Sequence, residues 1–131
     1  MIKLTQLILH DPENDQYGDC FRTCIACLLE IEDISSVPHF CDNTNERWVP
    51  DLNKRLGNFG YAYIDVTGVN NEWYREQGIN THHVISGMGP RGTRHSVIGL
   101  NGEIVWDPHP SRDGLSCSKE EYEHGYIIKL S

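Results

Sequence analysis

Apolar positions follow helical spacing through most of the first half of this chain and alternate through most of the second. Ile2 to Leu9 interleaves apolar and polar residues and reads as a short strand. It runs into His10-Asp11-Pro12-Glu13-Asn14-Asp15-Gln16-Tyr17-Gly18, a stretch of turn formers. Asp19 then offers an N-cap to a run, through about Ile31, that is apolar on nearly every side. Such a helix has to be covered on most of its faces. Ile34 to Phe40 reads as a turn or a single helical turn stopped by Pro38. A second helix is expected from Asn45 to Leu56, with Trp48, Leu52 and Leu56 on one stripe and Gly57 as its stop. Pro50 calls for a kink or a start within it. Gly60 to Val66 alternates around aromatics as a strand does, and Asn70 to Gly78 suits a short helix or an ordered loop.

From Thr81 the signals are those of β-structure. His83 to Ser86 reads as a strand, followed by the loop Gly87-Met88-Gly89-Pro90-Arg91-Gly92. Arg94 to Leu100 and Glu103 to Trp106 flank Asn101-Gly102, a strong hairpin signal. The loop Asp107-Pro108-His109-Pro110-Ser111 comes next. Ser118 to Glu121 has the form of a capping box, and Tyr126 to Leu130 reads as a last strand. Helices first and an antiparallel sheet afterwards make an α+β fold, with the Cys-bearing helix packed on the sheet. The 131 residues suit one domain, residues 1–131, with no linker or internal repeat.

Charge narrows the partners. A net charge of −8 argues against nucleic acid and anionic membrane. No run approaches membrane-spanning length, and the first ten residues lack the pattern of a secretion signal. Five cysteines without framework spacing fit reduced thiols, and so a cytoplasmic protein.

The chemistry centres on Cys20, in the first turn of the first helix. The positive end of the helix dipole and the free first-turn N–H groups favour the thiolate form of a thiol there. Cys24 and Cys27 fall deeper on the same face and read as small core residues. Cys20, Cys24 and Cys27 also spell the C-x-x-x-C-x-x-C of cluster-binding radical S-adenosylmethionine enzymes, but that chemistry needs the cysteines on a loop of a much longer chain. His82, His83, His109, Cys41 and Cys117 show no metal-ligand spacing, and no metal or cofactor is expected. His95 begins one hairpin strand and Asp107 ends the other, so register decides whether they meet. A two-residue turn pairing Leu100 with Glu103 puts them on opposite faces. A three-residue loop with a bulge at Gly102 sets them opposite each other, β-carbons about 5 Å apart. An imidazole held by a carboxylate and facing a thiol is the arrangement of a nucleophilic triad.

In order along the chain, Gly18-Asp19-Cys20-Phe21-Arg22-Thr23-Cys24, Arg94-His95-Ser96-Val97-Ile98-Gly99 and Ile104-Val105-Trp106-Asp107-Pro108 resemble the papain-like cysteine peptidase fold. The nearest branch is the bacteriocin-processing (double-glycine leader) peptidase-like domains, together with small phage and bacterial proteins carrying the Pro-Arg-Gly and Asp-Pro-His-Pro-Ser motifs. The resemblance implies nucleophile Cys20, general base His95 and orienting Asp107. Phe21 stands where the leader peptidases carry Gly, and Asn14 where papain-like enzymes place an oxyanion Gln. Gln6 and Gln16 are the candidates for that role, and Gln6 is favoured because it precedes the turn-rich loop. The glycine-rich loop leads into His95 and is expected to line the substrate cleft through Gly89, Arg91 and Gly92, or to be a plain connector. The implied activity is a cysteine peptidase or amidase acting on a peptide or a small amide through an acyl-enzyme. The alternatives are an acyltransferase or deamidase, or a non-catalytic binding protein on the same scaffold.

Overall fold

The computed structural model describes residues 1–39, 48–66 and 68–130. Among them are three α-helices and one five-stranded antiparallel sheet, an α+β arrangement. Helix α1 spans Cys20–Leu29, α2 Trp48–Gly57 and α3 Asn71–Gln77. The strands are β1 Tyr61–Val66, β2 His82–Met88, β3 Arg94–Leu100, β4 Glu103–Trp106 and β5 Glu123–Lys129, in the sheet order β1-β5-β2-β3-β4. The chain therefore returns at its end to place β5 between β1 and β2. No described helix is long and apolar enough to cross a membrane.

Helix α1 forms where its apolar run predicts and is buried accordingly. Phe21, Cys24, Ile25, Ala26 and Cys27 join Val84, Ile98, Tyr63, Leu52 and Leu56 in one core. Phe21 meets the Tyr63 ring edge-on, with centroids 5.4 Å apart. The opposite sheet face, where alternation turns His83, carries the wholly buried Tyr74 of α3, stacked on His83 at 5.1 Å. Asn70 caps α3 by accepting from the Trp73 N–H, and Gly78 ends it in the left-handed region. Pro50 lies in the first described turn of α2, where a missing N–H costs little. From α2, Asn53 takes both outward backbone groups of Tyr63, which blunts the β1 edge.

Several elements differ from the sequence-based expectation. Residues 2–9 form no strand, despite their alternation. The segment finds single partners instead: the Ile2 N–H donates to Cys27 O, and the Gln6 N–H donates to Pro108 O at 2.9 Å. Strand β5 begins at Glu123, three residues before the expected Tyr126, because Glu123 and His124 pair with Ser86 and Ile85 of β2. The expected capping box does not form: a single 3-10 turn, Lys119–Glu121, follows Ser118, whose side chain makes no capping bond to the backbone. The expected helix start at Asn45, the turn's end at Phe40, and Cys41 lie outside the described residues.

Candidate active site

The hairpin β3–β4 brings His95 to Asp107 by a register that neither simple turn supplies. The turn is the two-residue one: Leu100 pairs with Glu103, and Asn101 and Gly102 take positive φ of 54° and 85°. Gly99 then pairs with Ile104, but Ile98 pairs with Trp106, so Val105 is an extra residue on β4. Of the two turns the sequence left open, the two-residue one forms, and the bulge restores the facing that a three-residue loop at Gly102 would have given. One inserted residue shifts the facing by one position and puts Asp107 on the same side as His95. The His95 Nε2–H donates to Asp107 Oδ1 at 2.7 Å, with both residues buried.

Asp107 is held from every side. Its Oδ1 also accepts the His109 N–H at 2.8 Å, and its Oδ2 accepts the Gly114 N–H at 2.7 Å. Burial pushes its carboxyl up, but these hydrogen bonds, the one from His95 foremost, bring it below its ordinary value. Burial would likewise discharge the His95 imidazole. Hydrogen bonding to Asp107, and hydrogen bonding and charge from Cys20, outweigh it and raise His95 to about 9. Since Asp107 occupies Nε2, Nδ1 is the ring nitrogen left for the thiol.

Cys20 stands at the first residue of α1, partly exposed. Asp19 is at the N-cap position, yet its side chain makes no capping bond, contrary to the sequence expectation. Fully buried, it accepts instead from the Ile8 N–H at 2.8 Å and from Arg22 Nε at 3.0 Å. The carboxylate thereby clamps residues 6–8 beside Cys20 rather than covering the helix N-terminus. Cys24 and Cys27 are buried, and burial pushes both thiols up; for Cys24 the Cys20 charge adds to it.

Gln6 is 7% exposed and donates from Nε2 to Ile8 O at 2.7 Å, while its Oε1 has no hydrogen-bond partner. Two clefts, of about 410 and 420 Å3, both reach Cys20 and His95. Gln6, Arg91, Thr93 and His109 line the first, and Phe21, Tyr63, Ser86, Ser96 and Glu123 line the second. His10 and Arg94 border both.

Of the loop residues singled out in the sequence, Arg91 is at the cleft, its guanidinium 3.3 Å from Ser111 Oγ. Gly89 lies behind His95, where an added Cβ would sit 3.1 Å from the His95 Cβ. Gly92 has φ +79° and open space around it. Gln16 is exposed and donates to Leu9 O at 2.6 Å. Sequence reasoning missed His10 and weighed His109 only as a metal ligand. The His109 ring stands edge-on to His95, with centroids 6.1 Å apart. Among the described residues, no group of His, Cys, Asp or Glu is arranged to hold a metal ion. Comparison with protein-family models, curated proteins and solved structures gives no match to the chain.

Proposed function

We propose that this protein is a cysteine-dependent hydrolase of amide bonds, papain-like in the order of its catalytic groups, acting on a peptide or a small amide. One observation carries the reading: a buried imidazole, bonded through Nε2 to the Asp107 carboxylate, lines the same two clefts as the thiol at the start of α1. That arrangement supplies a nucleophile, a base and an orienter in order.

In this reaction His95 takes the Cys20 proton on Nδ1, and the thiolate adds to the substrate carbonyl carbon. The developing oxyanion is met by the Cys20 backbone N–H at the start of α1, and by the Gln6 amide N–H not given to Ile8. Each such donor is worth a few kcal/mol. The intermediate collapses as His95 hands its proton to the departing amine, leaving a thioester on Cys20. His95 then draws a proton from water, whose oxygen attacks the thioester. The carboxylic acid leaves, and the proton returns to the thiol. Asp107 keeps the imidazole oriented and favours its charged form throughout.

Limiting iodoacetamide near pH 6 tests the reading on native protein. Cys20 is expected to be alkylated before Cys24, Cys27, Cys41 and Cys117, and His95→Ala to slow that labelling by about tenfold or more. Faster labelling of Cys41 or Cys117, or no effect of His95→Ala, would replace this reading with a non-catalytic binding protein.

A further inference from the structure

Asp107 follows the last residue of β4, in a loop whose closure depends on one side chain that reaches neither cleft. Arg112 has a left-handed φ of 56°, which turns its guanidinium back under the loop. One guanidinium nitrogen, Nη1, donates to Asp107 O at 2.9 Å and His109 O at 2.8 Å. The other, Nη2, donates to Thr5 Oγ1 at 2.6 Å. The group also lies 4.1 Å from the centroid of the Trp106 ring, whose Nε1–H donates to Leu4 O. The Gln6 N–H is bonded to Pro108 O in the same strip. Arg112 therefore ties the segment that carries Gln6 to the loop that carries Asp107, between residues more than a hundred positions apart in sequence.

We infer that Arg112 is a positioning residue, which fixes the Asp107 carboxylate against His95 and Gln6 beside Cys20 without itself meeting substrate. The proposal rests on the hydrolase reading for what is being positioned, but its geometry is independent of it. A guanidinium suits the task because its planar fork satisfies two carbonyls and a hydroxyl at once while stacking on an indole. Lysine reproduces the charge but not the fork. The effect travels through the backbone at Asp107 and His109, whose own N–H bonds Asp107 Oδ1.

The test is an NMR titration of the His95 ring in wild type, Arg112→Met and Arg112→Lys, with iodoacetamide labelling of Cys20 on the same samples. Methionine keeps packing against Trp106 and removes the hydrogen bonds. Arg112→Met is expected to lower the His95 pKa by about one unit and to slow Cys20 labelling several-fold, because the Asp107 bond is what favours the charged ring. Arg112→Lys is expected to recover part of both. An Arg112→Met protein that folds with His95 unmoved overturns the proposal, since a merely stabilising arginine would shift the melting temperature alone. Selective Cys20 labelling in wild type would leave the hydrolase reading standing in that case. Unselective labelling with a lowered His95 pKa in Arg112→Met would sink the hydrolase reading and keep the positioning role. Should Arg112→Met not fold, Thr5→Val removes one of the three bonds. An unmoved His95 in both Thr5→Val and Arg112→Lys would overturn the proposal.

Discussion

His95 holds its charge against burial because two partners flank the ring, and each can be removed separately. Asp107→Asn keeps the shape of the acceptor and removes its charge. The His95 pKa, raised to about 9, is then expected to fall, with Cys20 labelling slowed less than by His95→Ala because the altered side chain touches no sulfur. A ring titration beside labelling rates checks the order. Arg91, exposed at the cleft, is expected to act on substrate and not on the thiol. With a substrate in hand, Arg91→Ala should raise KM and leave Cys20 alkylation unchanged, whereas equal losses in both would make the loop structural. Cys20, His95 and Asp107 were legible because each sits in a short local motif. Arg112 carried no signal, since its partners Thr5 and Asp107 are defined only once the termini are folded together.

Among the elements, the β3–β4 hairpin carries the decisive detail. The Asn101-Gly102 pair announces its turn, and the positive φ angles of both residues are those such a turn requires. The bulge at Val105 has no such announcement, because Ile104-Val105-Trp106 is uniformly apolar and permits either facing. Deleting Val105 is expected to leave a folded hairpin with Asp107 on the wrong side, lowering the His95 pKa and slowing Cys20 labelling about as far as Asp107→Asn does, short of His95→Ala. A deletion variant with wild-type labelling would show that the bulge does not set the pair. The N-terminal segment teaches the complementary lesson. Its alternation is that of a strand, yet a strand exists only with a neighbour, and this one meets Cys27 of α1, Asp19 before that helix and Pro108 of a loop instead of a sheet edge.

At the scale of the whole molecule, two buried histidines oppose each other in pH. His83 is wholly buried, its Nε2 accepting the Gly102 N–H, and burial lowers it from 6.5 to about 4. Its folded pKa lies below the unfolded one, so its contribution is complete above about pH 6.5 and lost as pH falls toward 4. Over that window the loss is of order 3 kcal/mol. His95 is raised instead, so its contribution is complete below about pH 6.5 and lost as pH rises through 9. Urea midpoints measured across that range are expected to peak near pH 6.5. His83→Asn should flatten the acid limb and His95→Gln the alkaline one, while a midpoint that rises steadily to pH 9 would contradict the His95 assignment.

Period and punctuation in the sequence were enough to place α1, β1 and the hairpin turn, because each depends on neighbours a few residues away; they left α3 open between a helix and a loop. The same local logic put a thiol at a helix start and a His and an Asp on adjacent strands. The tertiary structure alone decided the rest. It fixed the facing of Asp107, through one inserted residue; the work of Asp19, whose carboxylate takes the Ile8 N–H and the Arg22 side chain and not the first-turn N–H groups of α1; and the role of Arg112. Each of these depends on hydrogen-bond partners that the sequence holds far apart or leaves in competition, and only packing around α1 and the sheet selects among them.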